Sequence, residues 1–160
     1  MPTFYDQFVE AEQRGAQNIA LEIQRKDKVE SYTFAETRKM AESFGRWLTE
    51  KKLPAGARVA IFADNHPRWV ATYLGVIASG YTAVPLDTAF HADQVTKLLK
   101  DSGASLLVTD VKHFAIAQQA VSGLNVELIL TDPSSLKAVG EKTPEKKHSG
   151  EPHWIADLDT

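Results

Sequence analysis

The chain has 160 residues, a formal net charge of −3, 43% hydrophobic and 24% charged residues, and no cysteine. A chain of this length buries roughly 68–70% of its unfolded surface, enough for a core, and its mixed composition argues against a disordered polypeptide. The slight acidity gives no electrostatic basis for binding nucleic acid, and the lack of cysteine excludes a disulfide framework, thiol catalysis and a cysteine-ligated zinc.

No apolar run reaches the roughly 18 residues of a bilayer span, and Met1 to Glu10 is too mixed and acidic for a signal peptide. A cytoplasmic location is expected, with peripheral membrane contact left open.

Phe4 to Arg14 predicts a short amphipathic helix with Phe4, Phe8 and Ala11 on one face, ended by Gly15. Ile19 to Gln24 alternates like a strand, and Val29 to Tyr32 reads as its return in a hairpin. Thr33-x-x-Glu36 is a capping box that opens a helix running to Lys52, with an apolar stripe of Phe34, Ala41, Phe44, Trp47 and Leu48. Pro54-Ala-Gly56 turns the chain into the strand Arg58-Val-Ala-Ile-Phe-Ala-Asp64.

Asn65 is the expected N-cap of the next helix, with Pro67 in its first turn, where a missing N–H costs nothing. That helix, Arg68 to Ser79, is apolar nearly all round and should be buried, with Gly80 as its left-handed terminator. Two further helices follow. One covers about Ala92 to Ser102 and stops at Gly103; the other covers about Lys112 to Val121 and stops near Gly123. Ser134 to Gly140 reads as a short helix, and Gly140 to Pro152 as a polar loop or linker. Residues 1–133 are therefore expected as one α/β subdomain and 134–160 as a linker segment.

Four strand-like runs end in Asp64, Asp87, Asp110 and Asp132, at intervals of 23, 23 and 22 residues. One such interval fits a strand, a helix and two short loops, so the repeat predicts a mostly parallel β-sheet flanked by helices in three layers. Ligands of such sheets sit beyond the carboxyl ends of the strands, which raises the question whether the four carboxylates are a Mg²⁺ site of the phosphoacceptor receiver type. The residues favour a simpler role, each Asp closing its strand and capping the following helix or turn. Asp64 has no acidic neighbour, and neither Lys112 nor Lys137 stands at the strand end where a receiver needs its lysine.

The histidines, His66, His91, His113, His148 and His153, have no i, i+4 pairing and no HExxH, so they read as solvated or helix-cap residues. G-x-S-x-G and G-x-x-x-x-G-K-[ST] are both absent. The turn after Asp64, Asn-His-Pro-Arg, holds no glycine for a dinucleotide fingerprint. Arg68 and Trp69 read as a packed Trp beneath a snorkelling Arg rather than a ligand platform.

Tyr32 to Asp110 resembles the N-terminal region of the adenylate-forming enzymes: acyl-CoA synthetases, nonribosomal peptide adenylation domains and luciferases. The resemblance rests on five ordered segments, Tyr32-Thr-Phe-Ala-Glu36, Pro54-Ala-Gly-Ala-Arg-Val-Ala-Ile61, Asn65-His-Pro-Arg-Trp69, Gly80-Tyr-Thr-Ala-Val-Pro-Leu-Asp87 and Leu99-Lys-Asp-Ser-Gly-Ala-Ser-Leu-Leu-Val-Thr-Asp110. Ala57, Arg68 and Thr37 depart from the family pattern. The Asn-x-Pro-x-Trp form is similar to that of long-chain fatty acid–CoA ligases.

The resemblance implies the N-terminal subdomain of the adenylate-forming fold and a parent enzyme that uses ATP, Mg²⁺ and CoA on a carboxylic acid, with a fatty acid as the leading substrate. The family's phosphate loop, nucleotide-binding stretch and catalytic lysine lie after the region that matches, and Ile155 to Asp159 resembles the lead-in to the phosphate loop. No catalytic, cofactor-binding or metal residue is thus expected within the chain. Its expected partners are the rest of the parent enzyme and, for the isolated chain, a second copy joined through the sheet edge or Trp154–Ile155. The competing reading is a stand-alone receiver-like module that binds or signals through the aspartate edge.

Overall fold

In the computed structural model, residues 1–131 are described here. Asp132, the helix expected over Ser134–Gly140, the linker expected over 140–152 and the segment around Trp154 and Ile155 lie outside the described residues. The described chain forms two compact units.

The first unit comprises Met1–Leu53 and Asn65–Tyr81. It holds α1 (Phe4–Arg14), the antiparallel hairpin β1 (Ile19–Gln24) and β2 (Val29–Thr33), α2 (Phe34–Glu50) and α3 (Pro67–Ala78). Both α1 and α2 begin with a full capping box, Thr3 with Asp6 and Thr33 with Glu36. Tyr5 on α1 donates its hydroxyl to Glu42 on α2 at 2.8 Å, and Arg38 bridges Glu42 and Glu12 at 2.8 and 2.9 Å.

Gly75 lets α2 and α3 approach closely. A Cβ there would lie 2.6 Å from the Ala41 carbonyl oxygen. The helix is buried along Pro67, Ala71, Thr72, Leu74, Gly75 and Val76. Its other side is only half-buried, because Trp69 and Tyr73 stack there at 5.5 Å with planes 8° apart. The expected N-cap is corrected by one residue: His66 takes the position, its Nδ1 accepting the Arg68 N–H at 3.0 Å, with Pro67 at the first helical position. Gly80 follows the helix with φ +77°, as its terminator role requires.

The second unit comprises Pro54–Asp64 and residues 82–131. Its parallel sheet runs β4-β3-β5-β6, built from β3 (Arg58–Phe62), β4 (Thr82–Pro85), β5 (Leu106–Thr109) and β6 (Glu127–Leu130). The helices α4 (Ala92–Ser102) and α5 (Phe114–Val121) belong to the same unit. One core gathers Ala60, Phe62, Leu107, Val95, Leu99, Ala117 and Ala120.

Successive strand residues point to opposite faces, and Val59 through Phe62 are all fully buried, so β3 is covered on both sides as a central parallel strand should be. β5 is buried throughout as well, whereas the edge strands β4 and β6 differ from the uniform burial expected of them. In β4, Thr82 and Pro85 are exposed, and Pro85 sits where its missing N–H is tolerated, on an edge. The last helix also starts two residues later than its apolar pattern suggested, at Phe114, because Asp110 holds Val111 to His113 in a turn.

Candidate functional site

Strand order decides which aspartates meet. From β3 the chain goes to β4 on one side and then to β5 and β6 on the other, so the order reverses between β3 and β5. A crevice outside the carboxyl ends of the strands at such a reversal is where open α/β sheets bind ligands. Asp64 follows β3 and Asp110 follows β5, which puts both at this point; Asp87 follows the edge strand β4.

Asp110 ties the two strand ends together. Its Oδ2 accepts the Asp64 backbone N–H at 2.8 Å, and its Oδ1 accepts the His113 backbone N–H at 2.9 Å and the His113 Nδ1–H at 2.7 Å. Beneath it, the buried Thr109 hydroxyl donates to the Phe62 carbonyl at 2.8 Å. The His113 ring packs edge-on against Phe62, with centroids 5.1 Å apart. Its side chain is only 7% exposed.

Asp64 departs from the capping role expected of it. Its carboxylate takes an ion pair from Lys112 Nζ at 2.6 Å through Oδ2 and faces His113 Nε2 at 3.6 Å through Oδ1. The Asp64 carboxylate raises the Lys112 pKa, first by the hydrogen bond and then by its charge. Asp87 keeps the expected role, its Oδ1 accepting the Ala89 N–H at 2.9 Å in a turn.

Among the histidines, His66 and His91 occupy N-cap positions as expected. His113 does so too, but it is buried and faces two carboxylates, and Lys112 reaches the strand end that its place in the sequence seemed to deny it. Sequence reasoning missed this pair. The available signal was Asp110-Val-Lys-His113 directly after an apolar strand, where a carboxylate capping its own i+3 N–H also reaches the ring of residue i+3.

The chain matches the family model described as "AMP-binding enzyme" over residues 8–159. The chain belongs to the AMP-binding enzyme family.

Gramicidin S synthase 2 of Aneurinibacillus migulanus is 27% identical over 96% of the chain, which covers 3% of that protein. A crystallised acyl-CoA synthetase of Brucella canis is 28% identical over 95% of the chain and 27% of its own, with a TM-score of 0.71. A benzoate CoA ligase from Burkholderia xenovorans LB400 superposes with a TM-score of 0.74 over 83% of this chain and 26% of its own, at 17% identity, and so supports the fold alone. The chain thus spans about a quarter of these solved structures and a few per cent of the curated peptide synthetases. The parallel sheet flanked by helices is the N-terminal subdomain architecture of adenylate-forming enzymes. Among the described residues, no helix is long and apolar enough to cross a membrane.

Proposed function

We propose that the chain forms the N-terminal part of an ATP-dependent acyl-CoA synthetase that activates a fatty or related carboxylic acid. The observation that carries this reading is the 28% identity to an acyl-CoA synthetase over nearly the whole chain, together with the Asn65-x-Pro67-x-Trp69 segment. In the proposed reaction a carboxylate oxygen bonds to the α-phosphorus of ATP as pyrophosphate leaves. The CoA thiolate then bonds to the acyl carbon as AMP leaves.

The described residues do not fit a nucleotide. The connection between β3 and α3 is Ala63-Asp-Asn-His66, and α4 and α5 open on His91 and His113, so among the described residues no glycine-rich loop offers a row of backbone N–H groups to phosphates. No step of the ATP chemistry is therefore assigned to them. ATP, Mg²⁺, CoA and the acid are expected to be held elsewhere in the parent enzyme, and the 160-residue chain alone is expected to be inactive. Incubating it with ATP, CoA and fatty acids should release no AMP; sustained AMP release would refute this.

A second reading, activation of an amino acid for peptide synthesis, is favoured by the identity to gramicidin S synthase 2 over 96% of the chain. Comparing fatty and amino acids as substrates of the gene's whole product separates the two. Membership of the AMP-binding family weighs against a stand-alone receiver-like module, although the aspartate edge that prompted that reading has a geometry of its own.

A further inference from the structure

We draw no further inference here: the strongest candidate, the apolar surface that Phe4 exposes on α1 and that Ile19 and Val29 expose on the β1–β2 hairpin, carries nothing because nothing in the structure shows what covers it.

Discussion

At the residue scale, the strand-end aspartates divide by what they touch. Asp110 accepts three hydrogen bonds, two of them from backbone N–H groups 46 and 3 positions away, so removing it strands several partly buried donors at once. An unsatisfied buried donor costs about 1–3 kcal/mol. Asp110→Ala should therefore lower the unfolding free energy by roughly 2–3 kcal/mol in urea denaturation. Asp87 makes a single turn bond at an exposed site, and Asp87→Ala should cost only about 0.5–1 kcal/mol. Equal losses would contradict the distinction.

The capping role of Asp87 and Asp110 was legible from their place after apolar runs, because that bond is local. The pairing of Asp64 with Lys112 and His113 was not. It spans a whole intervening strand, β4, and depends on β3 lying beside β5, which linear spacing does not encode.

The Tyr5–Glu42–Arg38 contact predicts a pH response. Burial, reinforced by the hydrogen bond to the Glu42 carboxylate, pushes the Tyr5 phenol up to about 12. Burial alone would raise the Glu42 pKa, but the bonds from Arg38 and Tyr5 outweigh it and the net direction is down. A phenol whose folded pKa is raised contributes stability that is complete below its ordinary value near 10 and is lost as pH climbs toward 12. Unfolding followed from pH 9 upward should show this loss, and Tyr5→Phe should flatten that limb. An identical limb in the variant would assign the loss to other groups.

At the element scale, the crossing of α2 and α3 depends on Gly75. Replacing a helical Gly by Ala ordinarily gains about 0.5–1 kcal/mol of helix stability. Here the added methyl would stand 2.6 Å from the backbone oxygen of Ala41 and 3.1 Å from Phe44, and backbone cannot swing aside as a side chain does. Overpacking of this kind costs typically about 1–3 kcal/mol, so the clash outweighs the propensity and Gly75→Ala should be net destabilising in the same urea assay. A stabilised variant would show that the helices separate freely.

The helices themselves were readable from the sequence. The stripe from Phe34 to Leu48 and the Thr33–Glu36 box specify α2, and the termini at Gly80 and Gly103 follow from the glycine's left-handed backbone. The misread ends have local causes. His66 supplanted Asn65 as a cap because Pro67 fits the first helical position, and the turn held by Asp110 delayed α5. The need for Gly75 is not legible within its own helix, because the surface that requires its missing side chain belongs to α2.

At the scale of the whole molecule, the interval between aspartates recorded the β–α repeat and hence the parallel sheet, but the order β4-β3-β5-β6 emerged only in three dimensions. The order is what turns evenly spaced carboxylates into one adjacent pair and one outlier. The strands β4 and β6 each leave an edge without a partner among the described residues. Unpaired edges invite association, so the isolated chain is expected to dimerise, which light scattering after gel filtration would show; a monomer at all concentrations would count against it.

The functional account turns on one measurement, acid-dependent exchange of labelled pyrophosphate into ATP by the gene's whole product, with the 160-residue chain as the parallel sample. The account predicts exchange driven by a fatty acid in the whole product and none in the 160-residue chain. Exchange by the 160-residue chain, or exchange driven by amino acids and not by fatty acids, would contradict it.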